Sequence, residues 1–464
     1  MRLGFDLEGK RILVVGLART GEVVSLFAAG YGATVTATDE KPERELAPTA
    51  QALRAVGVKL ELGGHAPELF LEKDLIVVSP GVPKTLPLLA GARSRGIPVW
   101  SEIELAWRFL RGKLVAVTGS NGKTTTTALT AHILKTAGME TLVGGNIGTP
   151  LLSLVESSND ATVTVAELSS FQLENIEAFR PEIGVLLNLT PDHLDRHASF
   201  EEYAAAKMQL FSNQLDRDCA VLNADDSEVT RRMPSHQQVF WFSRQKRVAT
   251  GAFLRDRQIM FRWEGDEIGL GWRDDICLRG DHNVENVLAA CAAAYLAGAD
   301  PGAIAGGVKT FRGVEHRLEF VAEIRGVGFF NDSKATNVDA ARRAIEAFPG
   351  PLIVILGGQD KGSPYTPLAE PLRQRARTAI LIGAAAEKLA ADLGPAVPYV
   401  HADTLERAVE LAISAARPGD TVLLTPACAS FDQFENYEHR GRVFKQLVGD
   451  LENRSRSGAT ARTG

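Results

Sequence analysis

The sequence predicts an α/β protein of three domains, the first and third Rossmann-like and the central one of P-loop type with a small antiparallel patch. Short β-branched runs, glycine-containing turns and amphipathic helices alternate along the chain, which is typical of parallel sheets covered by helices. At 464 residues the chain also exceeds the usual length of a single domain. We therefore expect ligand sites at the carboxyl ends of the predicted strands.

Composition and charge exclude several classes of protein. Hydrophobic residues make up 45% and charged residues 23%, as in ordinary soluble globular proteins. The net charge of −6 argues against nucleic acid or an anionic membrane as the main partner. No stretch approaches the roughly 20 apolar residues that span a bilayer. The four cysteines (Cys219, Cys277, Cys291, Cys428) form no CxxC pair, so we expect buried thiols and a cytoplasmic protein.

The first predicted domain, residues 1–101, opens with a glycine turn from Gly16 to Gly21. The turn has the spacing of the dinucleotide fingerprint, but Ala18 replaces the middle glycine, at which backbone approaches a pyrophosphate. It therefore indicates nucleotide or phosphate binding without naming the nucleotide. The predicted elements are the strands Arg11–Val15, Thr34–Thr38 (ending at Asp39) and Leu75–Val78, with helices through Ala29 and around Ser101–Leu110.

The second predicted domain, residues 102–313, carries a phosphate-type loop, Thr118-Gly119-Ser120-Asn121-Gly122-Lys123-Thr124-Thr125. Backbone N–H groups and the helix dipole after Gly122 favour an anion, Lys123 can neutralise phosphate charge, and Thr124 can offer Mg²⁺ a hydroxyl. The strict pattern needs a glycine at Val117, so the match is to a variant. The other elements are the strands Leu114–Val117, Thr162–Ala166 and Ile183–Leu189, the helices to Ala137, His282–Ala297 and Ala303–Thr310, and an antiparallel patch between Val239 and Trp272.

Two polar residues follow neighbouring strands of this domain. Glu167 directly follows one strand, the position where a carboxylate meets Mg²⁺ beside a phosphate loop. His193 lies just past the next, and we favour a metal or site role for it over a structural hydrogen bond. Together with the loop they predict a mononucleotide phosphate site of ATPase type. The alternative is a plain strand–turn–helix junction with an exposed lysine.

The third predicted domain, residues 314–454, returns to the Rossmann-like alternation. Its predicted strands are Val327–Phe330, Leu352–Leu356, Ala379–Ile382 and Thr421–Leu424, with helices between them. The tail 455–464 offers almost no apolar surface to pack, so we expect it to be disordered.

Twelve motifs, in order from Leu7 to Val448, resemble those of the Mur ligase family. They are GLARTG (16–21), SPGV (79–82), TGSNGKTT (118–125), GGNIG (144–148), ELSSFQLE (167–174), LNLTPDHLDRH (187–197), AAAK (204–207), GDHNVEN (280–286), HRLE (316–319), NDSKATN (331–337), GGQDKG (357–362) and TPACASFDQF (425–434). Any one could arise by chance, but a dozen in sequence order should not. GGNIG, NDSKATN and PACASFDQF point to the branch that adds D-glutamate.

The resemblance implies an ATP-dependent amide ligase of peptidoglycan biosynthesis. Its three domains would hold a UDP-linked precursor, ATP and the incoming amino acid, in that order. The reaction would join D-glutamate to UDP-N-acetylmuramoyl-L-alanine through an acyl phosphate, with Mg²⁺ (two ions) as cofactor. We expect a monomer that acts on these small molecules.

The resemblance also assigns residues to roles. Catalytic roles fall to Lys123, Glu167, His193, Lys207 and Arg317. ATP would be bound by Gly119, Asn121, Gly122, Lys123, Thr124, Thr125, Asn283, Asn286, Arg317, Asp332 and Lys334. The precursor would be bound by Arg19, Thr20, Asp39, Lys41, Ser79, Gly81, Asn146 and His193, and D-glutamate by Thr336, Lys361, Ser430 and Tyr437. Metal ligands would be Thr124, Glu167, His193 and Lys207, the last as a CO₂-derived carbamate.

Three rival functions stay open at this point. The turn at Gly16 with Asp39 could belong to a nicotinamide-dependent oxidoreductase, although the broken fingerprint and the unexplained third domain weigh against it. The phosphate loop could belong to a motor or transport ATPase, which would show no amino-acid-dependent turnover. A sister Mur ligase or a folylpolyglutamate-type ligase would share the chemistry and differ in acceptor or amino acid.

Overall fold

The computed structural model describes residues 5–146, 148–193, 196–234 and 237–460. It confirms the α/β class, with three sheets that follow one another along the chain and helices between their strands. The chain divides into two compact units. The first holds the first two sheets and continues to Thr310, and the second holds the third sheet from Phe311 onward, together with Asp274–Val284 and a segment that begins at Thr190.

The first sheet consists of five parallel strands. Its elements are β1 (Arg11–Val15), α1 (Arg19–Gly30), β2 (Thr34–Asp39), α2 (Ala47–Ala55), β3 (Lys59–Leu62), β4 (Leu75–Val78), α3 (Pro87–Ser94), β5 (Val99–Ser101) and α4 (Glu102–Phe109). The strand order is β3-β2-β1-β4-β5. All four residues of β4 are buried, as expected for a parallel strand covered on both faces. The edge strand β3 reads KLEL and is only half-buried, which hid it from the sequence analysis.

The second sheet has nine strands and carries the predicted phosphate loop. Its strands are β6 (Lys113–Thr118), β7 (Thr141–Gly145), β8 (Val163–Glu167), β9 (Ile183–Leu186), β10 (Cys219–Asn223), β11 (Gln238–Ser243), β12 (Gly251–Arg255), β13 (Gln258–Trp263) and β14 (Asp266–Trp272). Its helices are α5 (Lys123–Thr136), α6 (Ser170–Leu173), α7 (Phe200–Met208), α8 (Ser227–Arg231), α9 (Asp281–Ala297) and α10 (Pro301–Thr310). The order is β14-β13-β12-β11-β10-β9-β6-β8-β7.

The predicted antiparallel patch is present, but it continues this sheet. β11 pairs in parallel with β10 and β12, and only the β12–β13 and β13–β14 pairs are antiparallel. The patch is therefore part of the second sheet, to which it is joined by the hydrogen bonds of β11 with β10 and β12. Two boundaries also differ from expectation, because Glu167 is the last residue of β8 and β9 ends at Leu186.

The third sheet has six strands. Its elements are β15 (Glu319–Ile324), β16 (Val327–Asn331), α11 (Val338–Glu346), β17 (Leu352–Gly357), α12 (Ala369–Arg375), β18 (Ala376–Ile382), α13 (Ala386–Leu393), β19 (Tyr399–Asp403), α14 (Leu405–Ala415), β20 (Thr421–Leu424) and α15 (Tyr437–Thr460). The order is β15-β16-β20-β17-β18-β19, parallel except for the β15–β16 hairpin. α15 continues through residues 455–460, for which we expected disorder, and residues 461–464 lie outside the described part.

Each sheet brings particular loops together at the carboxyl ends of its parallel strands. β1 lies between β2 and β4, β6 between β8 and β9, and β20 between β16 and β17. Because these neighbours run parallel, the loops after their carboxyl ends meet, and such points are where open α/β sheets bind ligands. Within the described residues, no helix is both long and apolar enough to cross a membrane.

Candidate active site

The phosphate loop occupies residues 119–122, between β6 and α5. Gly119 and Gly122 have φ angles of 148° and 86°, which favour glycine. A Cβ at Gly119 would approach Leu187 Cβ to 3.0 Å, and one at Gly122 would come within 2.2 Å of Asn286 Oδ1. Gly122 is also the N-cap of α5, so the first N–H groups of α5 lie at the end of the loop, where a phosphate can accept from them.

Asn188, in the loop after β9, fixes the phosphate loop through three hydrogen bonds. Its Oδ1 accepts from the Asn121 N–H at 2.8 Å, and its Nδ2 donates to the Asn121 carbonyl at 3.0 Å. Its own carbonyl accepts from the Ser120 N–H at 3.0 Å. Asn188 was not predicted, although it follows a strand beside the loop, which is the signal that identified Glu167.

Two lysines converge on one carbonyl of the loop. Lys123 Nζ donates to the carbonyls of Gly119 and Ser120, both at 2.8 Å, and Lys207 Nζ donates to the Gly119 carbonyl at 2.9 Å. Lys207 is buried, and its Nζ lies 4.6 Å from the ring centre of Tyr203, whose hydroxyl donates to Ser120 Oγ at 3.0 Å. The charge of Lys123 beside the loop suits a polyphosphate ligand, and Lys207 places a second side-chain nitrogen at the same carbonyl.

Glu167 lies alongside the start of the loop, because β8 pairs with β6 in a register that sets it opposite Val117. Its side chain is buried, and Oε1 accepts from Asn146 Nδ2 at 2.8 Å. Among the described residues Oε2 has no hydrogen-bond donor, and a buried carboxylate oxygen of that kind suits a hard cation. Asn146, predicted to contact substrate, is thus placed against the predicted metal ligand.

Thr124, the second residue of α5, is buried at the start of the helix that follows the loop. Thr125 follows it and is also buried. Besides the predicted carbamate of Lys207, the first unit therefore offers Mg²⁺ the side chains of Thr124 and Glu167. Their hydroxyl and carboxylate oxygens are ligands that Mg²⁺ prefers.

His193 is held by its neighbour Asp192. Its φ is 54°, its backbone N–H donates to Asp192 Oδ1 at 3.0 Å, and its Nε2 lies 3.8 Å from Asp192 Oδ2. Asp192 in turn accepts from Asn337 Nδ2 at 3.0 Å. By its contacts the segment that starts at Thr190 belongs to the second unit, whereas Glu167 belongs to the first. The predicted metal role of His193 stays a prediction.

A cavity of about 690 Å³ lies at the carboxyl ends of the first sheet. Of the residues predicted for the uridine side of the precursor, it is lined by Thr20, Asp39, Lys41, Ser79 and Gly81. Arg19, the first residue of α1, is not among the described residues that line the cavity. The volume suits a nucleotide-sized ligand.

Two of these lining side chains also build the cavity wall. The Asp39 carboxylate accepts from the N–H groups of Leu17 at 2.6 Å and Lys41 at 2.8 Å, and Ser79 Oγ donates to the Gly16 carbonyl at 2.7 Å. Asp39 and Ser79 therefore hold the glycine turn in place. His65 also lines the cavity and was missed, because no motif marks it.

The second unit contains a cavity of about 640 Å³ that includes Asn283 and Arg317. Phe320 and Phe330 supply an apolar side, with ring centres 5.4 Å apart, and Phe320 is exposed. Apolar rings with a few polar groups suit a flat aromatic ligand such as a nucleotide base. Asn283 and Asn286, predicted to act together, are divided: Asn283 lines this cavity and Asn286 lies against Gly122 in the first unit.

Asp332, at the end of β16, is buried near Arg317. Its carboxylate accepts from the Leu318 N–H at 3.2 Å and the Thr425 hydroxyl at 3.3 Å. Burial raises the pKa of this carboxyl group to about 7, against the opposing charge of Arg317. Burial, with the nearby charges of Arg343 and Arg317, lowers the pKa of His282 to about 3, so that imidazole is neutral at physiological pH.

The residues predicted for D-glutamate lie on the loops that meet at β16, β17 and β20. Lys361 Nζ lies 3.5 Å from Thr336 Oγ1, and Lys334 Nζ lies 5.2 Å from the ring centre of Tyr437. Ser430 is buried and follows Ala429, which exchanges two backbone hydrogen bonds with Gln359. The structure therefore joins the loop of Lys361 to the loop of Ser430.

Arg440 of α15 ties these loops together and was not predicted. It is 1% exposed, yet its guanidinium donates to Ser333 Oγ at 3.0 Å and to the carbonyls of Ser333, Cys428 and Ala429 at 2.9, 3.2 and 3.3 Å. Burial lowers its pKa to about 10. A buried cation held by carbonyls fixes backbone positions, which sequence alone does not reveal.

Family models match three consecutive parts of the chain. The Mur ligase MurD-like N-terminal domain matches residues 10–101, the Mur ligase middle domain residues 117–294, and the Mur ligase glutamate ligase domain residues 316–428. The chain belongs to the Mur ligase family, which confirms the resemblance drawn from its motifs. It is thus a member of a ligase family with an α/β fold.

Relatives within the family carry a more particular name. The UDP-N-acetylmuramoylalanine–D-glutamate ligase of Koribacter versatilis is 53% identical over 446 residues, which are 96% of this chain and 98% of that protein. The enzyme of the same name from Acidobacterium capsulatum is also 53% identical over 446 residues, covering 96% of this chain and 97% of its own length.

Solved structures show the same fold at lower identity. The UDP-N-acetylmuramate-alanine ligase MurC from Thermotoga maritima has a TM-score of 0.59 at 21% identity and covers 95% of this chain and 100% of its own. A pseudomurein peptide ligase type C from Methanothermus fervidus has a TM-score of 0.58 at 21% identity and covers 96% and 100%. At this identity the likeness extends to the fold alone.

Proposed function

We propose that this protein uses ATP to join D-glutamate to UDP-N-acetylmuramoyl-L-alanine, a step of peptidoglycan biosynthesis. The observation that carries the proposal is the phosphate loop, on which Lys123 and Lys207 converge and beside which Glu167 lies buried. The names of the relatives at 53% identity supply the two substrates. The protein would act on small molecules in the cytoplasm as a monomer.

The chemistry needs an activated carboxylate. A carboxylate oxygen of the precursor attacks the terminal phosphorus of ATP, the bond from that phosphorus to the bridging oxygen breaks, and ADP leaves. The amine of D-glutamate then attacks the acyl carbon of the acyl phosphate, inorganic phosphate leaves, and the amine loses a proton. Lys123 and the N–H groups at the start of α5 stabilise the phosphoryl charge in the first step.

Thr124 and Glu167 would hold Mg²⁺, which supplies positive charge to the phosphate oxygens when bound. The buried Glu167 Oε2, with no donor among the described residues, supports that assignment. His193 is proposed as a further ligand.

We propose three ligand regions in the order of the predicted domains 1–101, 102–313 and 314–454. The 690 Å³ cavity would take the uridine end of the precursor. The phosphate loop would take the phosphates of ATP, and Asn283 and Arg317 remain proposed ATP-binding residues. The loops of Thr336, Lys361, Ser430 and Tyr437 would take D-glutamate, whose side-chain carboxylate Lys361 can pair with.

Lys207 is proposed to act as a carbamate. Its buried nitrogen lies beside the phosphate loop, where a carbamate formed with CO₂ would replace a cation by a carboxylate-like Mg²⁺ ligand. With ¹³C-bicarbonate, the native protein should give a carbamate carbon signal by NMR that is missing from the Lys207→Arg variant. Lys113, which donates to the Ala297 carbonyl, offers the matched control variant Lys113→Arg, which should keep the signal. A native protein without the signal, and indifferent to bicarbonate in its activity, contradicts this part.

Phosphate release measured over a matrix of acceptors and amino acids tests the function. The acceptors are UDP-N-acetylmuramoyl-L-alanine, other UDP-linked precursors and a folate, each with D- and L-amino acids. We expect release only with UDP-N-acetylmuramoyl-L-alanine and D-glutamate together. Release with another pair would identify a sister Mur ligase or a folylpolyglutamate-type ligase, and release from ATP without any amino acid would contradict the ligase assignment.

A further inference from the structure

Arg196 holds the wall of the cavity in the first sheet, although it lies in the second predicted domain. Its Nη1 donates to the Gly81 carbonyl at 3.1 Å and its Nη2 to the Val82 carbonyl at 2.7 Å. Gly81 and Val82 both line the 690 Å³ cavity. Because the forked guanidinium binds two successive carbonyls, it fixes the position and the direction of that backbone.

The guanidinium is itself held in place before any ligand binds. It stacks on Phe171 at 4.3 Å from the ring centre, and its Nη2 lies 3.9 Å from Glu174 Oε2. The side chain of Arg196 is 18% exposed. A stacked and paired arginine loses little further freedom when it donates its hydrogen bonds, so it can act as a rigid support.

The backbone that carries Arg196 is anchored as well. It leads into α7, whose Tyr203 and Lys207 donate to Ser120 and Gly119 of the phosphate loop. A second contact joins the same two chain segments, because Lys84 forms an ion pair with Glu202 near the start of α7. The wall of the cavity is thus joined to the same chain segment at two places.

The position of this wall affects the shape of the cavity, because the wall packs against the glycine turn. A Cβ at Gly16 would lie 2.9 Å from Val82 Cγ2 and 3.1 Å from Ser79 Cβ. Val82 and Ser79 therefore lie tightly against the turn at which phosphate binding is predicted. A shift of the Ser79–Val82 backbone would reshape the cavity at that point.

We propose that Arg196 is a positioning residue for the precursor: it fixes the Ser79–Val82 wall of the uridine-side cavity and thereby sets the affinity for the UDP-linked substrate. This inference rests on the proposed function only for the identity of the ligand. Arg196 touches protein carbonyls, so it should affect binding of the precursor and leave the chemical step unchanged.

Calorimetric binding of UDP and of UDP-N-acetylmuramoyl-L-alanine tests this role, together with steady-state kinetics. Arg196→Met should weaken precursor binding and raise its KM at least tenfold, because two charge-assisted hydrogen bonds are lost. The kcat and the KM for D-glutamate should stay within threefold. Arg196→Lys should restore part of the affinity for the precursor, since one ammonium group cannot donate to the Gly81 and Val82 carbonyls with the geometry of the guanidinium.

Arg180→Met is the matched control, because Arg180 has a similar exposure of 22% and pairs with Asp218 away from the cavity. It should lower the unfolding temperature as much as Arg196→Met does and leave precursor affinity within twofold. Native protein that binds precursor no more tightly than Arg196→Met overturns the inference and leaves the proposed function standing. Native protein that binds neither UDP nor the precursor overturns both.

Discussion

Glu167 illustrates what a single buried side chain contributes at the residue scale. The pairing of β6 with β8 brings it beside the phosphate loop, Asn146 holds one of its carboxylate oxygens, and the other lacks a donor among the described residues. A buried carboxylate in that state is costly to the fold, and costly arrangements of this kind mark functional sites. Asn146 therefore orients the Glu167 carboxylate beside the loop.

Glu167→Gln tests that role. The amide can still accept from Asn146, but it carries no charge for Mg²⁺, so kcat should fall at least 100-fold. Phosphate release titrated with Mg²⁺ measures the loss, and thermal unfolding should show no destabilisation. Glu177→Gln is the control, since Glu177 also accepts a single side-chain hydrogen bond, from Trp100. A Glu167→Gln protein within threefold of native kcat would contradict the assignment.

Helix α4 follows the first sheet and contains a buried carboxyl group outside the proposed chemistry. Glu102 Oε1 accepts from the Leu152 N–H at 2.6 Å, and Oε2 has no partner among the described residues. Burial raises the pKa of this carboxyl group to about 7. Because the folded pKa is above the unfolded one, the stability it contributes is full below about pH 4.5 and is lost as pH rises through 7.

Glu102→Gln should therefore gain stability relative to the native protein as pH rises. The difference in unfolding free energy between the two proteins should change by about 2 kcal/mol between roughly pH 5 and pH 8, in favour of the variant at high pH. Urea unfolding at both pH values measures this difference. Asp332 is present in both proteins, so the contribution of its titration cancels when one unfolding free energy is subtracted from the other. A difference that is the same at both pH values would show that Glu102 keeps an ordinary pKa.

Helix α7 gives a second test at the scale of an element. Tyr203→Phe removes only the hydroxyl that donates to Ser120 Oγ, so the KM for ATP should rise about tenfold, as expected for one lost hydrogen bond. The affinity for UDP should not change. Tyr31→Phe, on the exposed end of α1, should alter neither constant. A Tyr203→Phe enzyme with native KM for ATP would show that α7 does not support the phosphate loop.

The sequence predicted β1 and β4 correctly from their buried runs, but the buried strand β10 was not predicted. β1 and β4 are the strands that were predicted, residue for residue, because continuous β-branched runs between turn residues have one reading. The edge strands β3, β7 and β19 were missed, since half-exposed strands carry mixed residues. The antiparallel strands were expected as a patch, and their continuity with the central sheet depends on pairing that local patterns do not encode.

The candidate site divides in the same way. The glycines of the loop and Lys123 could be proposed from the strand–loop–helix motif, and Glu167 from its place at the end of a neighbouring strand; their roles stay predictions. Asn188 was missed although it follows a strand beside the loop, as Glu167 does in the predicted strand order, whereas Arg196 and Arg440 hold backbone carbonyls that are distant in sequence. Such supports have no spacing rule, so only the fold reveals them.

At the scale of the whole molecule, each of the three sheets has one end where loops meet, and each of these ends carries the residues that we propose for a different ligand. The first has a nucleotide-sized cavity, the second the phosphate loop, and the third the loops clamped by Arg440. A reaction with three substrates and a hydrolysis-prone acyl phosphate needs such separate, fixed sites.

Transfer of ¹⁸O is the most direct test of the central claim that a carboxylate of the precursor takes the terminal phosphoryl group of ATP at this loop. UDP-N-acetylmuramoyl-L-alanine labelled in its carboxylate is incubated with ATP, Mg²⁺ and D-glutamate, and the released phosphate is analysed by mass spectrometry. Each phosphate should carry one ¹⁸O, and Lys123→Ala should slow its formation at least 100-fold. Unlabelled phosphate, or native rates from Lys123→Ala, would contradict the account.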